Sequence, residues 1–484
     1  MPFFLLAIIL GVLTYWVIRR SVANITRTPV WLLWFVMMLP VFVLVAWLLF
    51  QGDEALPMLL VYGLFILCPV VYAFLIALGR LPAAQVATAT AQPIEKNPQD
   101  KPITRDEETL LQRCFPWSVY YLQDIEYRAQ TMICRGKLKT NPGQAYQTVT
   151  QNIKSQFGDR FLVVFQEGFS GKPFFALIPN PQRLKKSEKK KTAGQPGIAI
   201  ALLITTLITT TLAGVFYVGG FSSSLLRERP ELFWQQGVAY GLALLIILGT
   251  HEMGHYLMAR RYKIDASTPY LVPVPYFLGP FGAFIQLRAP VPNRRALFDV
   301  GIAGPLAGLV MTLPILVWGL AHSTVIPIPE DASLLNFNAV DPGGSVILAL
   351  LSKLALGSAI GAEQAIDLHP VAVAGCLGLV VTALNLMPVG QLDGGHIVHA
   401  IYGQRMGAMI GQISRFLVLV LAFVHSEFLL WAVLLFFIPT VDEPALNDVS
   451  ELDQVRDVLG LLALTLLVLI VIPAPNVLTT ALFG

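Results

Sequence analysis

Long apolar runs separated by short polar breaks dominate this chain, and their length sets the first expectation. A helix needs about 20 apolar residues to cross roughly 30 Å of hydrocarbon. Runs of that order lie at Pro29 to Phe50, Pro57 to Leu78, Gly197 to Val218, Val238 to Met258 and Leu297 to Leu320. Further candidates are Phe3 to Ile18, Val371 to Met387, Gly407 to Val424, Phe428 to Ile438 and Leu459 to Ile472. The pattern predicts an all-α polytopic membrane protein of about eight to ten spans. His425-Ser426-Glu427 reads either as a tight turn between two short helices or as a polar spot inside one. The first run has no basic residue ahead of it and Arg19 and Arg20 behind it, so it reads as a retained anchor helix rather than a signal peptide. No Ser- and Arg-rich leader precedes it, so nothing suggests an organellar transit peptide.

One sizeable polar stretch interrupts the apolar pattern, from Leu81 to Pro196. Its entry, PAAQVATATAQPIEKNPQDKP, has the composition of a disordered linker, and its exit LKKSEKKK that of a solvated, headgroup-facing segment. Between them TRDEETLLQRCF predicts a helix, YYLQDIEYRAQTMICRGKL a strand, NPGQAYQTVTQNIKSQFG a capped helix, and RFLVVFQEG with KPFFALIPN a hairpin. The expected organisation is therefore N-terminal spans over 1–80, a small α+β soluble domain with flexible flanks over 81–196, a membrane core over 197–400 and C-terminal spans over 401–484.

Composition agrees: of 484 residues 55% are hydrophobic and only 13% charged, against about a quarter charged in soluble domains. A net charge of +3 is too small to argue for nucleic acid, so the expected partners are the lipid bilayer and a protein substrate within it. The sequence specifies no oligomeric state. If each span crosses once, Arg19, Arg20, Arg27, Arg80, the lysine run and Arg260, Arg261 and Lys263 fall on one side, which the positive-inside rule makes cytoplasmic. The four cysteines have no C-x-x-C spacing and imply neither a disulfide framework nor a cysteine-based zinc site.

The chemistry sits where it is most expensive. In GLALLIILGTHEMGHYLMARRYK, His251, Glu252 and His255 lie inside a span, where each ionisable group costs roughly 2.5 to 3.5 kcal/mol. Histidines at i and i+4 on a helix project from one face and can ligate one Zn²⁺, with the glutamate placed to take a proton from an activated water. Chance matches in this composition number roughly 0.003. The bland reading, two buried histidines satisfied by backbone partners, would crowd three polar groups into one turn without purpose. A hydrolytic zinc site needs a third protein ligand. Downstream, TALNLMPVGQLDGGHIVHA carries another costly carboxylate, Asp393, in a stretch that Pro388, Gly390, Gly394 and Gly395 would break. His396 and His399 compete with it; the aspartate is favoured because it reduces the net charge of the ion in low dielectric. His322, His369 and His425 sit near span ends and read as interfacial.

HEMGH on a membrane helix together with N-x-x-P-x-x-x-x-D-G, here Asn385, Pro388, Asp393 and Gly394, resembles the site-2 protease family of intramembrane zinc metalloproteases. The surrounding residues, most strongly from about Gly237 to Ala400, look like its plastid and cyanobacterial branch, named in plants for an ethylene-dependent gravitropism and yellow-green phenotype. The resemblance implies one Zn²⁺ per chain held by His251, His255 and Asp393, Glu252 as the catalytic acid-base residue, and Asn385 as a hydrogen-bond donor to the scissile carbonyl or substrate backbone. Many members carry an Asn where this chain has Gly308, and no PDZ domain is visible.

A membrane-embedded substrate must be extended before its carbonyls can be attacked. The segment STPYLVPVPYFLGPFGAFIQLRAPVP, with six prolines, cannot be an uninterrupted helix. It is expected to re-enter the membrane and to offer a strand edge through Gly282, Ala283, Phe284, Ile285, Gln286 and Leu287. Gly304-Pro-Leu-Ala-Gly308 reads as close helix packing. The function expected is hydrolysis of peptide bonds in membrane-embedded proteins near the cytoplasmic face. The alternatives are a zinc transporter, which would not need Glu252 and would often show related halves that are not seen here, and a catalytically silent scaffold. A bacterial or cyanobacterial plasma or thylakoid membrane is expected in preference to a plastid membrane.

Overall fold

A computed structural model describes residues 28–50, 103–128, 131–168, 171–180, 196–220, 228–273, 278–280, 282–329, 338–361, 363–424 and 428–484, with isolated positions at 11, 15, 19, 68, 71, 72 and 75. The expected spans Phe3 to Ile18 and Pro57 to Leu78, the linker after Leu81, the lysine run and His425 to Glu427 lie wholly or almost wholly outside them. The chain divides into two compact units, Met1–Asp100 and Lys101–Gly484. In the first, helix α1 (Val30–Phe50) is apolar throughout, and Leu33 is buried among Trp34, Met37, Tyr72 and Leu75. The Trp34 indole donates to the Gly11 carbonyl at 2.8 Å.

The second unit opens with the α+β fold. Helix α2 (Arg105–Arg113) starts at a capping box in which Thr104 and Glu107 each accept from the other's backbone N–H. Strands β1 (Tyr120–Arg128) and β2 (Thr131–Leu138) pair antiparallel, so the single strand expected from YYLQDIEYRAQTMICRGKL is two. Nineteen extended residues would reach about 60 Å, far beyond a domain core, and doubling back pairs the run with itself. Helix α3 (Pro142–Phe157) begins at an Asn141 cap and ends at Gly158, whose φ of 60° suits glycine. Strands β3 (Phe161–Glu167) and β4 (Pro173–Pro179) complete an antiparallel sheet of order β1-β2-β4-β3. Its core includes Leu111, Tyr120, Met132, Val149 and Ile153, with Phe165 stacked on Phe175 at 4.1 Å.

The rest is mostly helical. Helix α4 (Pro196–Ala213) runs into a π-helical turn, Gly214–Val218, that lies against a second one, Phe233–Val238, at the start of α5 (Ala239–Arg261). Strands β5 (Tyr270–Val272) and β6 (Gly282–Phe284) form a two-stranded sheet, β5 on α4 and β6 on α5. Helix α6 (Arg294–Ala321) follows, capped by Asn293. Then come β7 (Thr324–Pro327), α7 (Val346–Leu356), β8 (Gln364–Asp367), α8 (Pro370–Leu386), α9 (Asp393–Tyr402), α10 (Gln404–Val424), α11 (Leu429–Phe437), α12 (Gln454–Val471) and α13 (Asn476–Phe483). β7 pairs with β8.

Five helical stretches among the described residues are long and apolar enough to cross a membrane: 199–218, 233–261, 294–321, 404–423 and 454–471. Helices α5, α6, α8, α9 and α12 pack together around the largest core cluster. The protein is thus a mostly helical polytopic membrane protein with small sheet regions.

Candidate metal centre

Helix α5 carries His251, Glu252 and His255 on one turn, and all three are buried, at 3%, 7% and 8% exposure. Its long apolar stretch holds it in the bundle, and Arg260 and Arg261 in its last turn offset the negative end of its dipole. The facing helix closes over the two histidines: α6 presents Gly304 to the His255 ring and Gly308 to His251. The Gly304-Pro-Leu-Ala-Gly308 run thus does pack, as its small residues predict, but it packs against the two histidines themselves.

Asp393 arrives from far downstream. Helix α8 stops at Leu386, and residues 387–392 turn tightly, with Gly390 at φ 49° and the Leu392 amide donating to the Val389 carbonyl at 3.1 Å. Helix α9 then starts at Asp393. The break therefore falls at Pro388 and Gly390, while Gly394 and Gly395 sit inside α9. A Cβ at either would overlap backbone carbonyls of Leu386 or Gly390, so the glycine pair serves close approach rather than helix breaking.

The three expected ligand atoms come together. His251 Nε2 lies 3.2 Å from His255 Nε2, and Asp393 Oδ2 lies 3.4 Å from the first and 3.3 Å from the second. Ligands about 2.0 to 2.1 Å from a tetrahedral Zn²⁺ stand about 3.3 Å apart, so the near-equilateral triangle fits one such ion and leaves the fourth corner open. Its donor set, two imidazoles and a carboxylate, suits zinc as well. His255 Nδ1 is 2.7 Å from the Val300 carbonyl of α6, a contact that places the proton on Nδ1 and leaves Nε2 free to ligate. The Glu252 carboxyl is within electrostatic reach of all three ligands. The Asn385 amide nitrogen lies 3.1 Å from His251 Nε2, at the rim of the triangle.

Other candidates separate from this cluster. His396 and His399 turn to Asp442, at 2.8 and 2.7 Å, and not to the triangle. His322 stacks on Trp318 and His369 caps α8, both far along the bundle from α5's histidines in sequence and contact. Of the run expected as a strand edge, Gly282, Ala283 and Phe284 form β6 opposite Val272, Leu271 and Tyr270. Ile285 follows the strand, the Gln286 carbonyl accepts from Ser267 at 3.0 Å, and Leu287 bridges Ala266. The Val300 carbonyl was not legible in the sequence, because a backbone acceptor leaves no residue signature.

Residues 239–425 match the family model described as peptidase family M50. Similar relatives include the probable zinc metalloprotease EGY2, chloroplastic, of Oryza sativa subsp. indica, 26% identical over 400 residues, or 81% of this chain and 70% of the relative. The EGY2 protein of Arabidopsis thaliana is 27% identical over 75% of this chain and 63% of its own length. The probable zinc metalloprotease EGY1, chloroplastic, of the same plant is 35% identical over 49% of this chain and 42% of its own length. These relatives are chloroplastic, and they overturn the expectation that a bacterial or cyanobacterial membrane is preferred over a plastid one. Apolar length and loop charge report depth and orientation in a bilayer, not which bilayer it is.

Proposed function

We propose that the chain, whose residues 239–425 match the model of peptidase family M50, works as a zinc metalloprotease of that kind and hydrolyses peptide bonds of membrane-embedded proteins, with His251, His255 and Asp393 holding the zinc and Glu252 moving the proton. The triangle of Nε2, Nε2 and Oδ2 atoms with 3.2 to 3.4 Å edges carries this reading. When bound there, Zn²⁺ supplies Lewis acidity that acidifies a water and polarises a carbonyl. Glu252 accepts the proton of the attacking water and returns it to the leaving amine. Buried at 7% exposure, it works away from bulk solvent, where charge interactions are less screened than in water. The Asn385 amide, at the rim, donates to the scissile carbonyl as negative charge builds on it.

Substrate enters extended, along β6. One edge of β6 is taken by β5, and no strand covers its other edge among the described residues. The strand rests on the helix that carries the histidines, so a peptide added there would run along that helix. Leu287 and Gln286 lie beyond the paired strand and hold the loop to Ser267 and Ala266. Replacing Ile285 with proline is expected to slow cleavage, and unaltered cleavage would count against this route.

The basic end of α5, Arg260 and Arg261, goes with the other Lys- and Arg-rich loops on one side of the membrane, so the site lies within the bilayer close to that face. Added to the five stretches long and apolar enough to cross a membrane, the further apolar runs of the sequence would bring the crossings to about eight to ten. The chloroplastic relatives favour a plastid membrane. Glu252→Gln in proteoliposomes tests the assignment: zinc is kept and cleavage of a transmembrane substrate drops at least about 100-fold. Cleavage at the wild-type rate would end it.

A further inference from the structure

Among the described residues, the largest set of buried charged side chains outside the triangle lies one and two turns along α9 from Asp393. His399, 1% exposed, is held at both ring nitrogens: Nδ1 by Asp442 Oδ2 at 2.7 Å and Nε2 by Asp448 at 3.0 Å. The Arg294 Nε donates to Asp448 at 3.2 Å from the first turn of α6, and the Gln404 amide donates to the Asp442 carbonyl at 2.8 Å. Burying this many charges is costly, and breaking one partner away leaves the others uncompensated.

Asp442 and Asp448 belong to a strap that leads from α11 to α12. Its middle is a single extended stretch inserted between two other chains of backbone. On one side the Leu446 and Asn447 amides donate to the Val291 and Pro292 carbonyls, at 2.9 and 3.0 Å, just ahead of α6. On the other side the Phe165 amide donates to the Leu446 carbonyl at 2.7 Å, and the Asp448 amide to the Phe165 carbonyl at 2.9 Å. Phe165 is in β3, the edge of the four-stranded sheet, and Val449 enters that domain's core. The strap therefore joins three things: the α+β domain, the start of α6 and, through His399, the helix that begins with Asp393.

We infer that His399, Asp442 and Asp448 are positioning residues: they set the rotation and depth of α9 that bring Asp393 to the two histidines, and they make that position depend on the α+β domain's hold on the strap. This rests on Asp393 being the third zinc ligand. The physical basis is rigidity. Asp393 and His399 share one ten-residue helix, so a turn of that helix about its axis moves both carboxylate and imidazole. Two short hydrogen bonds to His399 leave little freedom for such a turn. The same helix has glycines rather than side chains where it meets residues 386–390, so side-chain interlocking there does not fix its rotation. Coupling of this kind is reciprocal: if the strap favours zinc binding, zinc must tighten the strap.

The test uses the full chain in detergent, zinc affinity by chelator competition, and the visible absorption of the cobalt-substituted protein. Asp448→Asn and His399→Gln are each expected to weaken zinc binding about tenfold and to diminish the tetrahedral cobalt band, and the double variant to be no weaker than His399→Gln. Leu320→Ala, at the far end of α6, serves as the stability control and is expected to bind zinc at the wild-type affinity. In the unaltered chain, zinc is expected to slow hydrogen exchange at the Phe165 and Asp448 amides, a measurement that needs no variant to fold. Wild-type zinc affinity in both network variants, or exchange at those amides indifferent to zinc, overturns the inference. Asp393→Asn separates it from the reading beneath it: zinc retained there removes the third ligand itself, while zinc lost there but untouched in the network variants removes only the positioning role.

Discussion

Gly304 faces the imidazole of His255 so closely that a methyl group on its α-carbon would overlap Nε2, Cδ2 and Cε1 of the ring. At the neighbouring Gly308 an added methyl group would stand 3.1 Å from the nearest atoms of His251. The two glycines of one motif therefore differ in what they tolerate. Gly304→Ala is expected to displace the ligand ring and to lower zinc affinity by about 10- to 100-fold, while Gly308→Ala costs severalfold less because a shift of a few tenths of an ångström relieves it. Metal analysis of both variants checks the order, and equal zinc content in the two would contradict it.

The Asn385 amide nitrogen, a donor, sits 3.1 Å from His251 Nε2, and the proposed function gives it a role on substrate rather than on metal. Asn385→Ala is expected to lower kcat by roughly 10²- to 10³-fold, as loss of one donor to a developing oxyanion does, with zinc content unchanged. Zinc lost in step with activity would make it a structural support for His251 instead.

Arg456 grips Asp299 through two hydrogen bonds, Nε to Oδ1 and a terminal nitrogen to Oδ2, both 2.7 Å, and the Tyr262 hydroxyl donates to the same carboxylate at 2.5 Å. The three residues tie the ends of α5, α6 and α12 one residue away from Val300, whose carbonyl steadies His255. A lysine cannot reproduce the planar fork. Arg456→Lys is expected to lower stability by about 1 kcal/mol, at the modest end because the pair is partly exposed. Thermal unfolding in detergent measures it, and a midpoint equal to wild type would show that the fork is dispensable.

The α+β domain has an acid-sensitive start. The Thr104 amide and the Arg160 guanidinium, 2.7 Å away, hold the Glu107 carboxyl below its ordinary value. A carboxyl lowered in the folded state stabilises fully above the unfolded value of about 4.3. That contribution disappears as pH falls through the lowered folded value. Hydrogen exchange in α2, corrected for intrinsic rates, is expected to accelerate over that acid window and to do so less in Glu107→Gln. The same acid response in both would assign it to other groups.

Much of the site was readable because its cost was readable. A helix that keeps two histidines and a glutamate among apolar residues announces them by contrast, and the i, i+4 spacing places the histidines on one face without further information. Asp393 stood out the same way. Helix α3 and the β3-β4 hairpin were legible from an Asn-Pro start, a terminal glycine and alternating apolar positions. The β1-β2 pair was not, because Ala129-Gln130 is no turn signature and only the pairing of the two halves separates them. β6 was legible as a strand-like run but not its length, since the Ser267 contacts that end it come from residues 19 positions earlier.

What the sequence determined by itself was local and compositional: which stretches are apolar enough for lipid, and which single turn of one helix holds two imidazoles on a face. Tertiary structure decided the relations between distant stretches. Asp393 meets His255 across 138 residues, Asp442 meets His399 across 43, and Leu446 to Asp448 fill a gap between a sheet edge and the start of α6. Such contacts arise from the closure of a whole bundle, in which hydrogen-bonding groups buried together must find partners wherever the chain brings them. No local pattern of residue types encodes which partner that will be.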